Sequence, residues 1–177
     1  MDATQIFWIF ALAFTFVAGL VDWRTRQIPN WLTMSGIVAG IALHVGAGGW
    51  RGAATSAEGM GLALALLLPL VLLRALGEGD WKLMGAAGAL LGPAMLLFVL
   101  LASILVSGAM AAARMVGTGR VKSTIQNIVT LIRGFALMGL RPHPEISLDN
   151  PQLLKLPFGV AAAAGTLICF LAVRWGL

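Results

Sequence analysis

Long apolar runs, separated by short connectors that carry charge, Gly or Pro, dominate this sequence. Hydrophobic residues make up 59% of the chain and charged residues 11%, whereas soluble domains contain about 25% charged residues. Most runs have the ~17–25 residues that an α-helix needs to cross the hydrocarbon core of a bilayer. The runs lie at residues 5–22, 31–47, 57–76, 80–92, 93–115 and 156–175. We therefore predict an all-α integral membrane protein with one polytopic domain over residues 1–177.

The fourth run is short, because residues 80–92 as a helix would reach only about 20 Å of a ~30 Å core. One long, kinked helix over residues 80–115 is the alternative. The distribution of Lys and Arg residues between the two sides of the membrane distinguishes the six-span topology from the five-span one. With six spans and the N-terminus outside, ten of the 12 Lys and Arg residues fall on the inner side, leaving only Arg51 and Arg174 outside. Five spans would largely remove this bias, so we predict six transmembrane helices.

The connector over residues 116–155 contains apolar residues at helical spacing between a basic start and a Pro-rich end. We predict an amphipathic helix at residues 123–140 that lies on the inner surface, in contact with membrane lipid. A helix packed against the bundle is the alternative. The start of the chain, "MDATQ", lacks a basic region, so the first run is expected to remain as a span.

The net charge of +5 does not indicate a nucleic-acid partner, because the positive residues are scattered and form no dense run. Cys169 is the only cysteine, which excludes an intrachain disulfide and a cysteine-based zinc site. No metal or cofactor is predicted.

Three carboxylates, Asp22, Glu78 and Asp80, fall at the inner ends of spans. An ionisable group at membrane depth is unfavourable by at least ~2.5 kcal/mol, which favours a functional role. A single Asp could instead be a solvated helix end, and Asp80 could be an N-cap. Asp22 and Asp80 share one inner layer, however, and two carboxylates in a partly dry site hold one proton between them. Aspartyl proteolysis requires this arrangement.

Other catalytic sets are less well supported. His44 and His143 have no evident acid or cysteine partner. Ser35, Ser103 and Ser107 lie in apolar helices, where hydroxyls commonly bond backward to the backbone. A serine protease is therefore disfavoured.

Gly and Pro residues flank both carboxylates. Gly77 and Gly79 remove side-chain bulk and let the backbone turn or approach another segment just before Asp80. Pro29 is expected to fix the turn between the first two spans, and Asn30 to cap the second helix.

These residues resemble the type IV prepilin peptidases, membrane aspartyl proteases of the GxGD class. Three motifs in the expected order carry the resemblance. They are "D-x-R…IPN" (Asp22, Arg24, Ile28, Pro29, Asn30), "GxGDxKL" (Gly77, Gly79, Asp80, Lys82, Leu83), and "LPFG" from Leu156, which is similar to the "PYG" start of the final span of the family.

The resemblance implies that Asp22 and Asp80 are the catalytic aspartates. The partner would be a prepilin or pilin-like precursor, cleaved between a short basic leader and its hydrophobic helix at the cytoplasmic face of a bacterial inner membrane. Larger members carry a cytoplasmic domain, often with four cysteines, and methylate the new N-terminus. This chain resembles the short Flp/Tad type, and methylation is not assigned. Lys82 is expected to reach lipid headgroups or an acidic side chain of the precursor.

Glu78 departs from the family pattern, in which this position is usually small or apolar. If its carboxylate points inward it would modulate the pKa of the pair, and otherwise it faces water. Rival hypotheses are a small transporter or pilus-assembly subunit that uses intramembrane carboxylates, and a pseudoenzyme scaffold. A preflagellin peptidase and a presenilin-like protease remain alternatives within the enzyme class.

Overall fold

The computed structural model of the protein describes residues 3–118, 129 and 157–176. Four helices cover most of them: α1 (Ala3–Thr25), α2 (Asn30–Leu72), α3 (Glu78–Gly117) and α4 (Phe158–Trp175). Each is long and apolar enough to cross a membrane. The all-helical prediction is therefore confirmed for the described residues. The amphipathic helix predicted at residues 123–140 lies outside them, apart from residue 129.

The outward faces of the helices carry large apolar side chains. Phe16, Val38, Phe98 and Leu105 are each more than 60% exposed. Such a continuous apolar surface is unfavourable in water and suits the hydrocarbon of a bilayer, where helices satisfy their own backbone groups. The outer surface therefore supports the prediction of a membrane protein.

Helix α2 reverses direction at Gly49, whose φ of 56° and ψ of −135° are not helical. Gly40 lies against the backbone of Ala89, and Gly59 lies against that of the adjacent Gly88. A straight helix would separate residues 40 and 59 by about 28 Å, so both could not contact neighbouring positions of α3. The two halves of α2 therefore form a hairpin, and both pack on the first part of α3.

Helix α3 also reverses, at Gly92 (φ 73°, ψ 173°), which Pro93 follows. Asp80 and Ser107 line the same cavity, although a straight helix would hold them about 40 Å apart. Only Gly adopts such a backbone conformation readily, and Pro93 has no N–H to continue the helical bonds. The first part of α3 is thus a short helix enclosed by its neighbours.

Polar side chains form hydrogen bonds with the backbone carbonyls that lack helical partners because of the break at Gly92. Ser56 Oγ donates to the Ala89 oxygen at 2.8 Å, and His44 Nε2 lies 3.2 Å from the Leu90 oxygen. Both side chains are buried. Because no water reaches such carbonyls inside a bilayer, protein donors must satisfy them. His44 has this structural role and lies far from the carboxylates.

The two reversals fall between predicted spans. The break at Gly92 falls at the predicted boundary between residues 80–92 and 93–115. The break at Gly49 falls between the second and third runs, and the helix after it begins before the predicted start at residue 57. Six spans and the orientation of the chain remain predictions.

Candidate active site

A cavity of about 730 Å³ opens at one end of the bundle. There, α1 ends, α2 begins and ends, and α3 and α4 begin. This end therefore gathers residues that are far apart in sequence. The cavity is lined by Asp22, Arg26, Gln27, Ile28, Asn30, Ala75, Leu76, Gly77, Glu78, Gly79, Asp80, Lys82, Ser107 and Phe158. All the predicted site residues except Pro29 are among them.

Asp22 lies on the inner wall of this cavity and is 5% exposed. Helix α1 continues past it to Thr25, three residues beyond the end of the predicted first span at residue 22. The carboxylate oxygen Oδ2 accepts a hydrogen bond of 2.8 Å from the Gly159 backbone N–H, in the first turn of α4. The start of the last helix therefore holds the Asp22 side chain in place.

Gly159 leaves just enough space for this contact. A Cβ added at residue 159 would lie 2.9 Å from the Asp22 Cβ and 3.1 Å from its Oδ2. Both distances are shorter than ordinary van der Waals contact, so a larger residue would displace the carboxylate. The "LPFG" motif contains Gly159, but the sequence did not show that its amide reaches Asp22.

Asp80 is the third residue of α3 and is half-buried. The N-cap is Gly77, in extended conformation and without a side-chain hydrogen bond, so the alternative that Asp80 caps the helix is wrong. A Cβ on Gly77 would lie 3.3 Å from the Asp80 Oδ2. Gly77 thus leaves space for the carboxylate. Asp80 interacts electrostatically with Asp22, as two carboxylates of one cavity must.

Gly79 has a separate packing role. A Cβ there would lie 3.3 Å from the Ile28 Cβ, so the start of α3 approaches the connector between α1 and α2 closely. Pro29 is extended (φ −71°, ψ 144°) in that connector and precedes the first residue of α2. These positions agree with the predicted roles of Gly79 and Pro29, and they bring the two motifs together.

Lys82 and Asn30 form a hydrogen bond across the cavity wall, with Lys82 Nζ 3.2 Å from Asn30 Oδ1. Asn30 is the first residue of α2 and Pro29 is its N-cap, so the prediction that Asn30 caps the helix is wrong. The amide instead accepts from Lys82. Lys82 is therefore bound to another site residue, and it joins the two motif segments.

Two further residues complete the polar lining. Glu78 is the first residue of α3, exposed at the edge of the cavity. Ser107 comes from the second half of α3 and is half-buried. The sequence assigned it no role in the site, because its position depends on the reversal at Gly92.

The site thus presents two carboxylates on the wall of one open cavity, each held by a glycine-lined segment. Such a pair can take a proton from water and give one to a substrate. The described residues that line the cavity include neither His nor Cys. Acid–base chemistry by carboxylates is therefore the chemistry that this lining supports best.

Comparisons with known proteins place the chain in a family. Neither a search of curated proteins nor one of solved structures found a match. The type IV leader peptidase family, in contrast, matches residues 9–112, a segment that includes Asp22, Asp80 and most of the cavity lining. Because this match covers more than half of the sequence, the chain belongs to the type IV leader peptidase family.

Proposed function

We propose that this protein is a membrane-embedded aspartyl endopeptidase that removes the leader from prepilin or pilin-like precursors. Family membership supports a peptidase. The observation that carries the aspartyl mechanism is the shared cavity, where Asp22 and Asp80 come together from helices α1 and α3. An isolated charged group at membrane depth is energetically unfavourable, so the presence of both Asp residues favours a functional role.

In the proposed reaction, Asp22 is the ionised member of the pair. Its Oδ2 already serves as an acceptor for the Gly159 amide. Asp22 takes a proton from a water molecule as the water oxygen attacks the scissile carbonyl carbon, while Asp80 gives its proton to the carbonyl oxygen. The tetrahedral intermediate then collapses, the C–N bond breaks, and the amine leaves with a proton from Asp22. Asp80 recovers its proton from the intermediate, which restores the pair.

The other motif residues support this pair. Gly77 and Gly79 let the Asp80 segment approach the first motif, and Pro29 and Asn30 shape that motif. Lys82 links the two segments through Asn30. Glu78 is exposed at the cavity edge, which favours the alternative that it faces water and takes no part in the reaction.

We place the cavity at the cytoplasmic face of a bacterial inner membrane. The six-span topology with the N-terminus outside puts most Lys and Arg residues on the side of the cavity, in agreement with the positive-inside rule. The cavity is then on the side where a basic leader would remain after the precursor inserts. The motif formed by Gly77, Gly79 and Asp80 supports a peptidase of the prepilin type.

Co-expression with candidate precursors in cells tests this proposal. Asp22→Asn and Asp80→Asn should each insert into the membrane but leave the precursor uncleaved, as seen by its size on a gel. Glu58→Gln is the matched control, because Glu58 is an exposed carboxylate that does not line the cavity. Full leader removal by either Asp variant would exclude the aspartyl mechanism. Failure of the wild type to cleave any candidate precursor would instead favour the transporter, assembly-subunit or scaffold hypotheses.

A further inference from the structure

Ser107 differs from the other hydroxyl residues of the bundle. Within residues 3–118 and 157–176, every other Ser and Thr hydroxyl except that of Thr4 donates to a backbone carbonyl. Ser103, one turn before Ser107 on the same helix, donates to the Val99 oxygen at 2.6 Å. The Ser107 hydroxyl has no hydrogen-bond partner in that part of the chain. The backward bond predicted for it is therefore absent.

The unpartnered hydroxyl lines the same cavity as the two carboxylates. Gly165 of α4 packs directly against Ser103. Ser107 lines the cavity with Phe158, so the second half of α3 runs antiparallel to α4. Ser107 is one helical turn beyond Ser103, which places it one turn closer to the start of α4. Measured along the helix axis, it is within ~3 Å of the level of Gly159, the residue that holds Asp22. Ser107 is half-buried there and lines the cavity together with both Asp residues.

A peptide substrate would need donors at this position. The scissile bond of the proposed reaction lies between the leader and the hydrophobic helix of the precursor, so the backbone carbonyls on its leader side have no helical partners. In a cavity set into a membrane protein, unpaired carbonyls are unfavourable unless the site supplies hydrogen bonds. Lys82 already donates to Asn30, and Arg26 also has a partner. The Ser107 hydroxyl, which has no hydrogen-bond partner among the described residues, can donate to such a carbonyl.

We propose that the Ser107 hydroxyl donates a hydrogen bond to a backbone carbonyl of the precursor next to the scissile bond. This inference rests on the proposed function, because it takes a peptide as the ligand of the cavity. Ser107 is then a substrate-binding residue, and the carboxylates carry out the proton transfers. The bond forms in the bound precursor and persists in the transition state, so its loss weakens binding.

Steady-state cleavage of a precursor by the purified protein in phospholipid vesicles tests this role. For Ser107→Ala, KM should rise about threefold to tenfold with kcat within twofold of wild type, as expected for the loss of one neutral hydrogen bond. Ser107→Thr, which keeps the hydroxyl, should restore KM. Ser103→Ala is the control: its hydroxyl bonds within the helix, so KM should not change.

Three results would overturn the inference: an unchanged KM for Ser107→Ala, a fall in kcat alone, or an equal loss for Ser107→Ala and Ser107→Thr with a lower Tm. The last of these would indicate a packing role. None of them affects the proposed catalytic pair, which is tested by the cleavage rates of Asp22→Asn and Asp80→Asn. The two proposals can therefore be separated in one set of measurements.

Discussion

At the scale of single residues, the contact between Asp22 and Gly159 determines where the first carboxylate points. Asp22 is almost fully buried, yet one of its oxygens has a backbone partner from the last helix. A buried carboxylate without such a partner would be far less favourable. The smallest residue is needed at position 159, because its neighbours include the Asp22 side chain and the Ala18 carbonyl.

Gly159→Ala tests this contact. Alanine is the better helix former, but its Cβ would lie 2.9 Å from that of Asp22 and force the carboxylate away. Because a displacement of ~1 Å in an active site can lower the rate about 10²-fold, we expect a loss of that order in leader cleavage. Gly108→Ala is the control, since a Cβ there meets nothing within 4 Å. Wild-type cleavage by Gly159→Ala would contradict the positioning role.

At the scale of helices, two hairpins enclose the short first part of α3. Residues 83–92 are all buried, and small residues let the backbones touch, with Gly59 directly against Gly88. Packing of this kind is the main attraction between helices in lipid, where there is no hydrophobic drive for association. The indole N–H of Trp81 also donates to the Leu64 oxygen at 2.8 Å. Asp80 depends on this packing, since it begins the enclosed segment.

Gly59→Val should separate the second half of α2 from α3, because its side chain would occupy the position of the Gly88 carbonyl. Overpacking of this kind typically destabilises a protein by about 1–3 kcal/mol. We expect a lower Tm in detergent and a loss of cleavage at the same time. At Gly61, two residues further along, a Cβ meets nothing within 4 Å, so Gly61→Val should keep the wild-type Tm. Equal Tm values for the two variants would rule out this close contact.

At the scale of the whole molecule, both carboxylates face one end of the bundle. Charge and motif order predicted that Asp22 and Asp80 share a layer, and the cavity contains both. This shared layer could be predicted from the sequence, because the side of the membrane on which a connector lies depends on the charges near the ends of its own spans. The cap predicted for Asn30 was wrong, because its amide accepts a hydrogen bond from Lys82 of another helix. The alternative that Asp80 caps α3 was wrong because Gly77 is the N-cap. Similarly, Gly159 and Ser107 reach the site only through chain reversals and contacts between distant helices.

The orientation of this end can be measured by cysteine labelling. In a Cys169→Ala background, Gly48→Cys and Gly117→Cys place single thiols at two positions where a Cβ meets nothing within 4 Å. The proposed topology puts residue 48 outside and residue 117 inside. A membrane-impermeant maleimide should label residue 48 in intact cells and residue 117 only after permeabilisation. The opposite pattern, or labelling of both in intact cells, would contradict the proposed topology.

The most direct test of the catalytic pair is the initial rate of leader release by the purified protein in phospholipid vesicles, for wild type, Asp22→Asn, Asp80→Asn and the double variant. Each single variant should lose at least ~10²-fold, the contribution typical of a general acid or base. Because the two carboxylates act as one unit, the double variant should be no slower than the slower single variant. A single variant within about twofold of wild type, or losses that multiply in the double variant, would contradict a shared catalytic site.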